Sequence, residues 1–173
     1  MNIDDYIISL FNQVPMFVYI IIFIIFILGS FLLFLRKGTE AKKYIVRLLF
    51  GEYIFFIYAS TVIFRVVPEK TGTNFIPFSS YKVHYLFSEN IMNIVVFVIL
   101  GLLLAFSFSG MKCWKATLFG LFISVSIEIT QLITQYGSCD VDDIINNTLG
   151  CVLGYTITSF FLLRVGVKSK EIK

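Results

Sequence analysis

Long apolar runs separated by short polar segments dominate this sequence. An apolar helix needs about 20 residues to cross roughly 30 Å of hydrocarbon. Five stretches come near that length: 15–35, 44–67, 91–108, 115–135 and 143–163. None alternates apolar and polar side chains with a period of two, so the many Phe and β-branched residues do not indicate an outer-membrane barrel. The pattern predicts an all-α polytopic membrane bundle of about five transmembrane helices, forming a single membrane domain over 1–173. The first run is too long for a signal peptide, follows Asp4 and Asp5 rather than basic residues, and lacks a small-residue cleavage pattern. It is expected to stay as a generic N-terminal transmembrane helix.

Composition sharpens this reading. Of 173 residues 58% are hydrophobic, with 20 Phe and 9 Tyr, which leaves too few polar side chains to cover a water-soluble domain of this size. A secreted or cytosolic globular enzyme is therefore excluded. With three Pro and no Gly/Ser/Pro-rich tract, neither a flexible linker nor a second domain is expected.

The net charge of +3 is an average over two unlike faces. Arg36, Lys37, Lys42, Lys43 and Arg47 lie between spans one and two, Lys112 and Lys115 between three and four, and Arg164, Lys168, Lys170 and Lys173 after five. The other side holds Arg65, Lys70 and Lys82 together with Asp4, Asp5, Glu69, Glu89, Asp140, Asp142 and Asp143. Because basic loops stay in the cytoplasm, the N-terminus is predicted outside and the C-terminus cytoplasmic. The basic excess belongs to membrane topology, and no nucleic-acid partner is expected.

Ionisable residues inside spans are costly enough to mark function by default. Glu128 is the strongest case, about 10 Å below the outer end of span four. At 100° per residue Thr117, Gly120, Ser124, Glu128, Gln131 and Gln135 form one stripe. In span five Asp143, Asn147, Gly150 and Gly154 form another, with Asn146 beside it. The Gly150/Gly154 spacing permits close backbone approach, and span four, one short loop away, is the expected neighbour. Asp140 has the position of an N-cap for span five. Asn90, Asn93, Phe97 and Gly101 share a face of span three. Asn74 lies in the loop before it, and Arg65, at the outer end of span two, either snorkels to water or turns inward to Glu128 or Asp143. Glu52 lies deeper, on a different face of span two, as a separate feature.

Cys113, Cys139 and Cys151 show no pairing or metal-ligand spacing, and neither a metal nor a cofactor is expected. His84, beside Tyr81, Tyr85 and Phe87, reads as an interfacial side chain. The polar stripes can be read as hydrogen-bonded helix glue or as a pocket for a polar ligand. Their number favours the pocket, since each polar group beyond what packing needs risks going unsatisfied. The expected ligand-binding set is Arg65, Asn74, Asn93, Glu128, Gln131, Asp140, Asp142, Asp143, Asn146 and Asn147, with Gly101, Gly150 and Gly154 as packing residues.

The segment Ser126-Ile-Glu128-Ile-Thr-Gln131, followed by Asp140-Val-Asp142-Asp143-Ile-Ile-Asn146-Asn147-Thr148-Leu149-Gly150 with Gly154 behind, resembles the VanZ-like family of small bacterial membrane proteins. Asn74-Phe-Ile-Pro77-Phe78 and Asn93-x-x-x-Phe97-x-x-x-Gly101 are similar to the family's earlier blocks. The likeness covers about 65–154. Two departures stand out: Tyr136-Gly137-Ser138-Cys139 replaces a loop that often carries a basic residue, and Ile99 stands where Pro is frequent, implying a straighter third helix. The resemblance implies a multi-pass protein of the bacterial cytoplasmic membrane and cell envelope. The family's namesake is linked to resistance to teicoplanin, an acylated glycopeptide that targets cell-wall precursors ending in D-alanyl-D-alanine.

Three functions are compatible with these residues. The first is a non-enzymatic envelope protein whose outer pocket binds an amphiphilic ligand, such as a membrane lipid, a lipid-linked cell-wall precursor or a lipoglycopeptide. Glu128 and Asp143 would meet its head group, and Arg65 would balance charge. The second is an intramembrane enzyme with Glu128 and Asp143 as acid and base, although no nucleophile with a base is visible. The third is a small ion-coupled transporter, weakened by the lack of an internal repeat; a homo-oligomer would be one way to build its pathway.

Overall fold

The computed structural model describes residues 39–63, 72–82, 87–135 and 137–164, preceded by helical positions at 21, 24, 25, 28 and 29. Most of the predicted span 15–35 falls outside the described residues, as do Arg65, His84, Tyr85, Tyr136 and the tail after Arg164.

The architecture is all-α. Helix α1, Thr39–Tyr58, runs into a π-helical turn, Ala59–Ile63. A two-residue strand β1, Thr73–Asn74, and a 3-10 turn, Ser80–Lys82, lead to α2, Phe87–Ser107. Helix α3, Cys113–Thr134, is followed by β2, Cys139–Asp140, and by α4, Val141–Arg164. Strands β1 and β2 pair in parallel, Thr73 with Cys139 and Asn74 with Asp140. Lys43–Val62, α2 and α3 are long and apolar enough to cross a membrane. Helix α4 has the length, at 24 residues, but carries a more polar face. Helix α2 runs without interruption through Ile99.

Helix ends follow local chemistry. The turn after α2 uses Gly110 at φ 90°, a conformation open to glycine at no steric cost. Helix α3 stops at Gln135 in the left-handed region, φ 56° and ψ 21°, and Gly137 at φ 124° completes the reversal toward β2. At the start of α4 the Asp140 carboxylate accepts the Asp142 N–H at 2.8 Å, an N-cap bond to the second helical residue.

Large apolar side chains cover the outside, and polar ones are buried at one end of an otherwise apolar core. Ile133 and Leu163 are 75% and 76% exposed, whereas Gln131 and Asn146 are each 1% exposed. Large apolar side chains on the outside and buried amides within are what lipid as solvent selects. A central apolar cluster of Ile57, Phe97, Leu100, Leu104, Ile127, Cys151 and Tyr155 holds the helices together.

The tightest packing joins α2 to α4. A Cβ on Gly150 would overlap the Ile94 carbonyl oxygen, one on Gly154 that of Val98, and one on Gly101 that of Cys151. Backbone therefore meets backbone along this seam. The sequence pairs the Gly150/Gly154 face with span four, but the structure gives it to α2. Helix α3 meets α4 one face over, where Gly120 lies against the Cys151 side chain. A short connection fixes which helices are adjacent, but the missing side chains select the partner that comes closest, and α2 supplies a reciprocal glycine.

Candidate functional site

The polar residues converge at the end of the bundle that carries β1, β2 and the 3-10 turn. Asp142 is fully buried in the first turn of α4. One of its oxygens accepts the Phe78 N–H at 2.5 Å, and the other accepts the Ser80 N–H at 2.9 Å and the Ser80 hydroxyl at 2.5 Å. It stands ahead of the apolar run that begins at Asp143. Burial alone would raise its carboxyl, but the Ser80 hydroxyl and the Ser80 and Phe78 N–H groups outweigh that effect and hold it below the ordinary value.

Asp140 caps α4 and also accepts both contacts of the Asn74 amide, at 3.1 and 3.0 Å. Asn74 in turn bonds Ser79, donating at 2.7 Å and accepting the Ser79 hydroxyl at 2.9 Å. The loop between β1 and α2 is thus fastened to α4 at two acids. Between those fastenings Phe75, Ile76 and Phe78 face outward and exposed. Phe78 has φ 62°, a conformation a bulky residue rarely accepts, and Asp142 binds its N–H there.

Glu128, 2% exposed, accepts the Asp140 backbone N–H at 2.8 Å. The carboxylate inside α3 therefore anchors β2, the strand that leads into α4. Negative charge gathers at this point: the Cys139 thiol is pushed up first by burial and then by the carboxylates of Glu128, Asp140 and Asp143. Asn93 on α2 donates to Asp143 at 2.7 Å, and Asn146 on α4 donates to Asn90 at 3.1 Å. The Tyr81 hydroxyl donates to the other side of the Asn146 amide, and Ser80 bonds Asn90. Asn147 donates to Ser124 at 3.0 Å, and Gln131 donates at 3.0 Å to the Thr61 carbonyl in the π-helical turn. That turn breaks the usual helical ladder, as π-turns at functional sites often do.

Nine of the ten predicted site residues, Asn74, Asn93, Glu128, Gln131, Asp140, Asp142, Asp143, Asn146 and Asn147, thus lie at one end of the bundle; Arg65 lies outside the described residues. Asn93 and Asp143 tie α2 to α4, and Glu128 ties α3 to β2. Asn74, Asp140, Asp142 and Asn146 hold the loop to α4 and α2. Gln131 and Asn147 are different, since among the described residues the Gln131 Oε1 and Asn147 Oδ1 oxygens are buried without a hydrogen-bond partner. Ser80, Tyr81, Asn90 and Ser124 belong to the network but not to the predicted set. Ser80 and Tyr81 lie in an irregular segment without periodicity. Asn90 could have been found, because it shares a face of span three with Asn93.

The VanZ/LLP1 family profile matches residues 16–163. The chain belongs to the VanZ/LLP1 family. The matched region reaches beyond the 65–154 stretch that carries the motifs and takes in the network just described and nearly all of the first predicted span. Protein VanZ of Enterococcus faecium is 38% identical over 68 residues, covering 39% of this chain and 42% of that protein. The match therefore spans less than half the length of that relative. No solved structure is significantly similar. A VanZ/LLP1-family membrane protein is consistent with the apolar exterior and the buried polar end.

Proposed function

We propose that this VanZ/LLP1-family chain is a non-enzymatic, multi-pass protein of the bacterial cytoplasmic membrane. In this reading its polar end faces outward and binds an amphiphilic or lipid-linked ligand, lowering susceptibility to a glycopeptide such as teicoplanin. One observation carries the proposal: among the described residues the buried Gln131 Oε1 and Asn147 Oδ1 acceptors lack donors, in a network where Asn74, Asn90 and Asn146 are matched on both sides. An unsatisfied buried acceptor costs about 1–3 kcal/mol, and a ligand donor group would recover it. Glu128 and Asp143 supply negative charge beside these acceptors, and the exposed Phe75, Ile76 and Phe78 offer apolar surface for an acyl chain. The likeness to Protein VanZ supports the antibiotic setting.

The test is teicoplanin susceptibility of a sensitive Gram-positive host expressing the chain, alongside Gln131→Leu, Asn147→Leu and Glu128→Gln at matched membrane levels. The expected result is resistance in the parent that all three variants lose. Resistance undiminished in the two leucine variants would refute a ligand role for those acceptors.

A further inference from the structure

The opposite end of the bundle holds a cleft that the polar network does not touch. Its volume is about 280 Å³, and Ala105, Met111, Leu162 and Leu163 give it apolar walls with the hydroxyls of Ser109 and Ser159 among them. Tyr155 also lines it and is fixed in place by donating its hydroxyl to the Met111 carbonyl. The glycine seam between α2 and α4 reaches as far as Gly101 against Tyr155, and the cleft opens beyond it.

Within the two described stretches that line this cleft the charge has one sign. The stretches that build it, 105–117 and 155–164, contain Lys112, Lys115 and Arg164 and no Asp or Glu. Arg47 joins them from α1, donating to the Ser107 carbonyl at 3.3 Å with its guanidinium over Phe108. The N-terminus of α3 also opens here. Lys112, at the N-cap position, offers the first-turn N–H groups no side-chain acceptor, so the positive end of the helix dipole adds to the cations. Phosphate groups bind well at such helix ends. An apolar cleft bordered by cations and an uncapped helix start matches a molecule with an acyl chain and a phosphate.

We propose that this cleft binds an anionic phospholipid, with an acyl chain against Ala105, Leu162 and Leu163 and the phosphate at Lys112 and the start of α3. The site is separate from the polar end, and the proposal does not depend on any ligand bound there. Its role is to seat the basic end of the bundle on negatively charged lipid.

Cys113 lines the cleft and is exposed, whereas Cys139 and Cys151 are buried, so a neutral maleimide reports on Cys113 alone. The full-length protein would be placed in nanodiscs of phosphatidylcholine with or without phosphatidylglycerol, and the labelling rate measured. Phosphatidylglycerol should slow labelling several-fold. Ser159→Phe, which fills the cleft, should abolish that protection. Lys112→Gln, at an exposed position, should raise the phosphatidylglycerol fraction needed by roughly five-fold, the effect of one basic residue at a charged surface, and it carries the test should Ser159→Phe fail to fold. Soluble glycerol phosphate should not protect. Equal labelling in both lipids would overturn the proposal, as would protection that persists undiminished in every folded variant, which would be a bulk surface-charge effect. Full protection by glycerol phosphate alone would replace a lipid site with one for a soluble anion.

Discussion

The two ends of the same helices are built by opposite rules. At one end α4 begins with acids whose oxygens are filled by the loop before α2, so side-chain hydrogen bonds decide the structure. At the other, α4 ends among cations and apolar walls beside an open cleft, where the described side-chain bonds of Arg47, Ser107 and Tyr155 run to backbone carbonyls. Between them the glycine seam is common to both. A short helix pair with no hydrophobic driving force inside lipid can be held by backbone contact in its middle, which leaves its ends free to specialise. The polar end gains geometric specificity, and the basic end retains room.

The most severe way to break this contrast is to remove the acid at the centre of the polar end. Asp142→Ala strips an acceptor from three donors, the Phe78 and Ser80 N–H groups and the Ser80 hydroxyl. Each donor left buried costs about 1–3 kcal/mol, so a loss of roughly 3 kcal/mol or more is expected in thermal unfolding, with the 72–82 loop newly open to protease. The same group makes the polar end acid-sensitive. Its folded carboxyl lies below the ordinary value, so its stabilisation is fully present above the unfolded carboxylate range and is lost as pH falls through the lower folded value. Asp142→Asn should flatten that acid limb of the unfolding curve; an unchanged limb would assign it to other carboxylates.

The seam is tested next. Gly154→Ala drives a methyl into the Val98 carbonyl and should destabilise by about 2–3 kcal/mol, moving both ends together. Gly51→Ala is the control, since nothing lies within 4 Å of a Cβ there. It should leave the unfolding temperature unchanged or slightly higher, as Ala favours helix over Gly. Equal losses from both substitutions would show that the close backbone approach at the seam is not what governs stability.

How much of this was legible in the sequence differs between the two ends. Hydropathy alone places α2 to α4 within four residues and overlaps α1, which starts five residues earlier than the predicted span, and the Asp140 cap and the polar stripe of α3 follow from spacing. The partner of Gly150 and Gly154 does not, because a small-residue face states how near a neighbour comes but not which one. The fastening of the loop by Asp142 was also hidden. Ser80 and Tyr81 lie in an irregular segment, and their hydrogen bonds to residues more than 60 positions away leave no periodic trace. The cleft at the basic end has no motif at all, because it arises where the tight seam stops.

The smallest expected effect sharpens the comparison at a single residue. Phe78 is held at φ 62°, which costs a side-chain-bearing residue about 1–2 kcal/mol, and glycine would remove that penalty. Phe78→Gly also loses the ring contact with Tyr81 at 6.3 Å and gives the unfolded chain more freedom. These terms nearly cancel, so the unfolding free energy should rise by less than about 1 kcal/mol, read from the thermal transition in a neutral detergent. The loop keeps its anchor, because the backbone N–H at position 78 still reaches Asp142. If teicoplanin resistance nevertheless falls, the exposed ring of Phe78 is used for contact with an amphiphile. If resistance and stability both hold, the polar end recognises its ligand through buried amides and carboxylates, without the apolar tip.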